Sequence, residues 1–409
     1  MRRVVVTGIG AVTPAGHGAA GLWAGVLANR SAVRAIDRFD ASPFSSRIAA
    51  QVDDFVAADH LDPRRARRLD RFSQFSVAAS RMAVEAAGLA LGNGRADRVG
   101  VWIGSALGGV AYGEEQHARY VTGGTRGVSA TLATAVFGGA GASNVAIDLG
   151  VRGPAVGNAN SCASGAVAIG QGFHAVRDGT VDVAIAGGAE APLAPLTHGA
   201  FAMIRVLSSR NDDPAGASRP FDTARDGFVM AEGAAILVLE EREAALRRGA
   251  APIAELVGFG ASNDAYHLTA PLPSGEAAAA AITAALRDAA AEPEEIGYVN
   301  AHGSSTQLNE IAEAKALHLA LGEWARTVPV SGTKGLYGHP LGASGAIEAA
   351  IVALALHAGL LPGTCNLRTL DERCDLNVLA EPLAAAPIAA LSTSFGFGGM
   401  NAALVLRRA

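Results

Sequence analysis

The sequence predicts an α/β fold, and two features of the chain support this. The first is alternation: apolar, strand-like runs such as VVVTGIGAVT near the start and VDVAIAGGAE from Val181 alternate with Ala-rich stretches of helical pattern. Strands that read as continuous apolar runs are typical of buried sheets covered by helices on both faces. We therefore expect buried, mainly parallel strands.

The second feature is a faint internal repeat. VVVTGIGAVTPAG near the start resembles AELVGFGASNDAY from Ala254, since each reads as a strand with Gly-x-Gly and a polar turn. Two halves that begin alike suggest duplication, with a boundary near residues 248–253. We expect residues 1–250 to form one half and residues 251–409 the other. In the second half, the Ala-rich run from Glu276 predicts a helix that ends before a proline.

Composition limits the functions that the chain can have. The chain has 409 residues and can bury a large core; 50% of it is hydrophobic and the formal net charge is −5. This charge gives no reason to expect nucleic acid as a partner. Three cysteines are too few for a disulfide framework, so we expect a cytoplasmic protein. The most apolar run, from Ala346, contains Glu348 and His357, which predicts a buried helix and no membrane span.

Lysine is rare in this chain. Only Lys315 and Lys334 are lysines among the 33 basic residues, and the rest are arginine. A lysine that remains in such a chain can mark a place that a guanidinium group does not fit. For one lysine alone, chance is the better explanation.

Gly8-Ile9-Gly10 invites a dinucleotide-binding interpretation. The next glycine of that motif is replaced by Thr13, and no clear acidic residue ends a second strand about 20 residues later. A tight strand-to-loop turn is the better interpretation.

The stretch NANSCASGAVAIG, residues 158–170, places Cys162 in a turn of small residues before a helical run. A thiol at a helix N-terminus is near free N–H groups that stabilise thiolate. Gly165 keeps the first turn slim, so that another backbone or a substrate can approach. Cysteine is also common as a small buried apolar residue, and on this stretch alone the two interpretations are level. Cys365 and Cys374 lie in loop-like sequence, and we take them as structural.

Two of the ten histidines lie in similar contexts. His302 follows the apolar run IGYV, and His339 follows VPVSG with Lys334 five residues before it. Both are predicted at the carboxyl ends of strands, where sites form in α/β sheets. Either histidine alone is better explained as structural, but their shared context with Cys162 favours a site. The loop SFGFGGMN, residues 394–401, can bring backbone N–H groups close to it, unless it is a simple β-turn.

Together these motifs resemble the β-ketoacyl-acyl carrier protein synthases, most closely the elongating type II members of the thiolase superfamily. The resemblance covers effectively the whole chain, from VVVTGIGAVTP to NAALVL. It rests on the Cys162 turn, NAHGSST, TKGLYGHPLGASGAIE, RPFDTARDGFV and SFGFGGMN, in the family's order and spacing. It implies a thiolase-like fold: two duplicated α/β halves with central mixed sheets in a five-layer αβαβα arrangement.

The resemblance also implies roles for individual residues. Cys162 would accept the acyl chain from a carrier-protein thioester. His302 and His339 would drive decarboxylation of the malonyl donor and stabilise the enolate. The backbone N–H groups of Cys162 and Phe397 would form the oxyanion hole. Lys334 would be the family's invariant lysine, orienting the site through Glu313.

The remaining implications concern substrate and partners. The residues implied in substrate binding are Leu107, Phe201, Phe228, Thr269, Ser304, Thr306, Phe395 and Phe137. The substrates would arrive on the phosphopantetheine arm of acyl carrier protein, and the chemistry needs no metal or redox cofactor. A thiolate exchanges thioesters well, and loss of CO2 generates the carbanion without an external base.

The sequence departs from the family pattern at several positions. Ser304 replaces Thr, Glu310 replaces Asp, and Met400 replaces Thr. Residues 129–146 lack the usual Pro and Asn, in a segment that the family places beside the dimer axis and the pocket floor. We therefore expect a dimer whose partner closes the pocket, with Phe137 as a stop for the growing chain. The partner could be a second copy or a chain-length-factor-like paralogue.

Rival assignments fit less well. A thiolase needs a second cysteine in the terminal Gly-rich loop, and a starter synthase of the third type pairs its cysteine with His and Asn. A non-catalytic chain-length factor is the main alternative, but such proteins lose the nucleophile. Between type II fatty-acid synthesis and discrete polyketide or polyene synthesis, the unusual residues 129–146 lean weakly toward the latter. Acyl length and starter preference are not readable from the sequence.

Overall fold

A computed structural model describes residues 2–91 and 96–409. The strands of the first half are Val4–Thr13 (β1), Gly16–His17 (β2), Arg34–Ala35 (β3), Ile48–Ala49 (β4), Val99–Gly104 (β5), Ala155–Asn158 (β6), Val183–Glu190 (β7) and Gly233–Glu241 (β8). Those of the second half are Ala254–Asn263 (β9), Ile296–Asn300 (β10), Pro329–Ser331 (β11), Leu360–Leu361 (β12), Asn377–Val378 (β13), Leu383–Ala384 (β14), Ala389–Gly396 (β15) and Met400–Arg408 (β16).

Thirteen α-helices lie within the described residues. They are Gly18–Leu27 (α1), Pro63–Ala66 (α2), Arg71–Ala86 (α3), Val110–Gly123 (α4), Leu132–Val136 (α5), Ala140–Leu149 (α6), Ser164–Arg177 (α7), Pro195–Met203 (α8), Arg242–Arg247 (α9), Glu276–Asp288 (α10), Asn309–Leu321 (α11), Lys334–Tyr337 (α12) and Ser344–Ala358 (α13). The helix predicted from Glu276 is thus confirmed as α10.

Each half contains the same five-stranded unit. The strand order is β6-β5-β7-β8-β1 in the first half and β11-β10-β15-β16-β9 in the second. In each unit the first two pairings are parallel and the last two are antiparallel. The expectation of mainly parallel strands is therefore wrong, because two of the four strand pairings in each unit are antiparallel. The two units join where β1 pairs with β9.

The helices form three layers around the two five-stranded units, which are the two sheet layers of one continuous 12-stranded sheet. Helix α3 packs on β1 and β8 at one outer face, and α10 packs on β9 and β16 at the other. Helices α7 and α13 pack against each other between the sheets, and α13 contacts strands of both. Helix α13 is largely apolar, and 12 of its 15 residues are buried. The result is the expected αβαβα arrangement.

The Gly-x-Gly sequence that is repeated in the two halves is explained by helix packing. Gly8 and Gly10 lie inside β1, where a Cβ would meet the Ala83 and Ala79 carbonyl oxygens of α3 at 2.1 and 2.0 Å. In the second half, Gly258 and Gly260 of β9 are equally close to the backbone of α10. The interpretation of Gly8 and Gly10 as a strand-to-loop turn is wrong, because both hold a helix directly against a strand.

A second repeat brings the site together. The turns Ser161–Ala163 and Leu341–Ala343 precede α7 and α13, and each is followed by Ser-Gly-Ala. Ser161 and Leu341 both adopt a positive φ, 51° and 38°. The two turns contact each other. Cys162 in the first half therefore has Gly342 as its structural counterpart in the second.

Candidate active site

Cys162 lies in the short helical turn that leads into α7 and is only 6% exposed. Ser161, immediately before it, is held in the left-handed region at a φ of 51°. Strain of this kind is kept where the surrounding structure fixes the backbone, often at functional sites. The turn therefore presents the thiol at a fixed position at the helix start, as the sequence predicts.

The terminal Gly-rich loop forms the wall opposite this turn. A Cβ at Gly396 would lie 3.0 Å from the Cys162 backbone nitrogen, which shows how closely the two segments approach. The backbone N–H of Phe397 faces this region and acts to lower the pKa of the Cys162 thiol. The loop connects β15 to β16, so it is both a β-turn and a wall of the site.

The thiol itself is not activated in the way that the helix-start argument suggests. Burial raises the pKa of Cys162 to about 11, although Ser161, Lys334 and the Phe397 N–H all act to lower it. The expectation of a thiolate-stabilising setting is therefore wrong for the free protein, because desolvation outweighs these favourable interactions. The resting group is a neutral thiol.

His302 and His339 meet at the same place. Their ring centroids are 5.3 Å apart, and both side chains line one cavity with Cys162. Burial lowers the pKa of both rings well below the ordinary value, and the nearby Lys334 charge lowers it further. Both imidazoles are therefore neutral at neutral pH, as the chemistry of a hydrogen-bonded enolate requires.

A hydrogen-bond contact at Nδ1 orients each of the two imidazole rings. The Lys334 ammonium lies 3.4 Å from His302 Nδ1 and has only protons to donate, so Nδ1 accepts and the His302 proton is on Nε2. His339 Nδ1 is 2.8 Å from the Ser344 hydroxyl at the start of α13. With Ser344 donating, His339 also carries its proton on Nε2.

Lys334 does not act through Glu313. It is fully buried, donates to the His302 carbonyl oxygen and forms an ion pair with Glu348. Glu313 instead accepts the backbone N–H groups of His302 and Gly303 at 2.7 and 2.9 Å. The predicted Lys334–Glu313 link is thus wrong: two separate carboxylates hold the side chain and the backbone of the His302 segment.

The cavity has a volume of about 530 Å³, in the usual range for a ligand site. Most of its predicted lining is present: Leu107, Phe201, Phe228, Thr269, Ser304, Thr306, Phe395 and Phe397 all border it with Cys162 and the two histidines. Phe201 lies between Phe228 and Phe397, with ring centroids 5.9 and 6.3 Å apart. The interior is therefore suited to an apolar chain.

Two hydroxyl groups of the lining lie side by side. Ser304 Oγ and Thr306 Oγ1 are 3.0 Å apart, so each is within hydrogen-bonding distance of the other. Thr269 is half-buried, with its N–H donating to His267 Nδ1 at 3.1 Å. These groups can hold a polar arm beside the apolar interior.

Phe137 is the exception among the predicted residues. It follows α5, is 47% exposed and does not border the cavity of its own chain. Contact of Phe137 with a partner's cavity stays a prediction.

Sequence reasoning missed several residues of the site. The sequence shows Glu348 only as part of a buried helix, and it does not identify Glu190 or Ser344 as site residues. All three are fully buried and hold catalytic-site segments. The repeated Ala-Ser-Gly-Ala after both turns would have linked Ser344 to the Cys162 segment, but no local pattern identifies Glu190.

The other cysteines lie elsewhere. Cys365 and Cys374 are buried in two different apolar clusters, and neither borders the cavity. Burial raises their pKa values to about 11 and about 12. This agrees with the structural role expected for both.

Two further observations concern residues 2–91 and 96–409. No group of three or more His, Cys, Asp or Glu side chains in these ranges has an arrangement that could hold a metal ion. One helical stretch, Leu341–Ala358, is long and apolar enough to cross a membrane, but 83% of it is buried inside the protein. It contains α13, the core helix predicted from the sequence.

The fold and the site define the class of protein, a thiolase-fold acyltransferase. The family described as beta-ketoacyl synthase, N-terminal domain, matches residues 1–245, and its C-terminal domain matches residues 253–368. The chain is 43% identical over 408 residues to 3-oxoacyl-[acyl-carrier-protein] synthase 2 of Synechocystis sp., covering 100% of this chain and 98% of that protein. The chain belongs to the β-ketoacyl synthase family.

Solved structures agree with this assignment. A type II PKS ketosynthase, solved with its acyl-carrier protein and bound to the hexaketide, superposes with a TM-score of 0.93 at 34% identity, covering 100% of both chains. The ishigamide ketosynthase/chain length factor gives a TM-score of 0.93 at 33% identity, covering 100% of this chain and 99% of that one.

Proposed function

We propose that this protein is a β-ketoacyl-[acyl carrier protein] synthase. The observation that carries the proposal is the meeting of Cys162, His302 and His339 at one apolar cavity, which Phe397 also borders. A nucleophile, two neutral hydrogen-bond donors and a backbone N–H are what a decarboxylative condensation needs.

In the first half-reaction, the Cys162 sulfur attacks the thioester carbonyl of an acyl-carrier protein. The carrier's phosphopantetheine thiol leaves, and the acyl chain is bound to Cys162. Because the thiol is neutral at rest, its proton leaves during the attack and passes to the departing phosphopantetheine sulfur, which leaves as the free thiol. The N–H groups of Cys162 and Phe397 stabilise the oxyanion.

In the second half-reaction, malonyl-carrier protein binds and its carboxylate leaves as CO2. The resulting enolate is stabilised by Nε2–H of His302 and of His339. Its carbon attacks the Cys162 thioester, forming a C–C bond and releasing the thiolate. The product is a 3-ketoacyl-carrier protein two carbons longer. Ser304 and Thr306 hold the phosphopantetheine arm, and no cofactor takes part in these steps.

Assembly with a second subunit completes the proposal. Strand β6 lies at the edge of the sheet with exposed positions, and α4 buries only Gln116. Ile147 and Phe137 are also exposed, 69% and 47%. An open strand edge beside exposed apolar residues supports a dimer interface here. The partner is a second copy or a chain-length-factor-like paralogue, and Phe137 reaches its pocket.

The proposal also covers the division into two halves, the cellular compartment and the pathway. The repeated strand order supports residues 1–250 and 251–409 as the two halves, with Cys162 in the first and His302, Lys334 and His339 in the second. The enzyme acts in the cytoplasm, in type II fatty-acid or discrete polyketide or polyene synthesis. Retention of Cys162 and both histidines favours catalysis over the role of a chain-length factor.

The test is product formation. Purified protein is incubated with acyl- and malonyl-carrier protein, and 3-ketoacyl-carrier protein and CO2 are measured. The proposal predicts equal amounts of the two products, and CO2 without chain extension by any acyl donor would overturn it. Glu232→Gln, a change at a buried carboxylate that does not border the cavity, serves as a control.

A further inference from the structure

One buried carboxylate outside the Cys–His–His cluster connects two walls of the cavity. Glu190, at the end of β7, accepts the backbone N–H groups of Ala106, Leu107 and Gly342 at 2.6, 3.1 and 2.9 Å. It also accepts the Ser105 hydroxyl at 3.0 Å. The first wall comes from the first half of the chain, and Gly342 belongs to the Leu341–Ala343 turn of the second half.

Glu190 has no cationic partner among the described residues, although it is fully buried. Glu232, by contrast, is equally buried and pairs with Arg38 and Arg71. A buried charge without an ion pair is costly and is kept only where it is well hydrogen-bonded. Burial raises the pKa of Glu190 to about 7, even though all of its donors act to lower it. The carboxylate is therefore stabilised by the backbone of the two walls and by the Ser105 hydroxyl.

These walls face the acyl position directly. Leu107 and Leu341 both border the cavity and lie in one apolar cluster with Cys162. The contact is tight: a Cβ at Gly342 would lie 2.3 Å from the Ala106 nitrogen and 2.6 Å from Glu190 Oε2. A change at the carboxylate therefore moves both walls relative to the sulfur.

We propose that Glu190 is a positioning residue for acyl selection: by holding Ala106, Leu107 and Gly342 on one carboxylate, it sets the gap between Leu107 and Leu341 through which an acyl chain reaches Cys162. This inference rests on the proposed function, and it adds a residue that touches neither substrate nor reacting atoms. The inference predicts an effect on acyl transfer and not on condensation, because Glu190 makes no hydrogen bond to His302 or His339.

The test is Glu190→Gln, which keeps the shape but turns an amide NH2 toward N–H donors. We expect kcat/KM for acyl transfer to Cys162 to fall about 10-fold, the scale of losing a hydrogen bond to a charged group. The ratio of rates for short and long acyl-carrier donors should shift about threefold or more, because the walls no longer hold one spacing. Condensation by enzyme already acylated on Cys162 should stay within about threefold of wild type.

Glu232→Gln is the matched control. It also neutralises a buried carboxylate, so it should lower thermal stability while leaving the donor ratio unchanged. If Glu190→Gln does not fold, Ser105→Ala removes one contact of the same network and should give a smaller shift of the same ratio. An unchanged ratio in the folded variants, or an equal shift in Glu232→Gln, would overturn the proposal. A wild-type protein that no acyl donor acylates would instead overturn the proposed function.

Discussion

Replacing Lys334 by Met removes the buried ammonium that connects Glu348 to His302. Both partners of the ion pair are fully buried, so breaking it leaves an unpaired carboxylate in the core, a change that costs about 3–5 kcal/mol. Burial already raises the pKa of Glu348, and loss of Lys334 raises it further. Glu348 can therefore take up a proton, and we expect a loss of about 3 kcal/mol at neutral pH.

The pH dependence has a defined sign. A carboxyl group whose pKa is raised by folding binds more protons in the folded state than in the unfolded state, so its contribution to stability is lost as pH rises. Lys334→Met should therefore lose further stability between pH 7 and pH 9. Lys334→Met/Glu348→Gln should recover stability and lose this slope, because neither residue of the pair then carries a charge.

Activity should not recover with stability. In both variants His302 Nδ1 has lost its donor, so the Nε2–H tautomer is no longer fixed, and single-turnover condensation should fall about 10²-fold. Urea denaturation at two pH values and rapid-quench condensation measure the two effects. Lys315→Met, at the exposed lysine, is the control. A double variant that condenses at the wild-type rate would refute the tautomer argument, and equal stability losses in both variants would refute the ion-pair argument.

The remaining predictions concern the nucleophile, the histidines and the dimer. Alkylation of Cys162 by iodoacetamide should keep rising about 10-fold per pH unit through pH 9, because its raised pKa leaves the thiol neutral; a plateau at neutral pH would contradict this. His302→Ala and His339→Ala should each slow condensation about 10²-fold but still allow acylation, and equal loss of both half-reactions would count against this division. Phe137→Ala should leave a dimer in light scattering and lengthen the products; an unchanged product distribution would remove Phe137 from the pocket.

The residues that line the reaction centre were easier to predict from the sequence than the buried residues that hold them in place. Cys162, His302 and His339 could be found because each lies between an apparent strand and an apparent helix, a context that local pattern shows. Glu190 could not, because it lies on a distant strand that only tertiary packing brings to the site. Glu348 is close to His339 in sequence, but local pattern does not show that its carboxylate pairs with Lys334. The Cys162 pKa was misjudged for a related reason: local sequence shows the helix start but not the depth of burial.

The fold shows the same division. The sequence showed the alternation of strands and helices and the two duplicated halves. The strand order repeats in the structure, as the internal repeat of the sequence suggested. The antiparallel pairing of β7 with β8 was not readable, since strand direction depends on the connections between elements. Gly8 and Gly10 were also misread, because the helix that packs on them begins more than 60 residues later.

The most direct test of the central claim is to locate the acyl group. The protein is incubated with an acyl-carrier protein alone, digested, and mapped by mass spectrometry. The account predicts one acyl group per chain, on Cys162, released as a longer 3-ketoacyl product when malonyl-carrier protein is added. Label on Cys365 or Cys374 with none on Cys162, or a Cys162→Ala variant that still extends the chain, would contradict it.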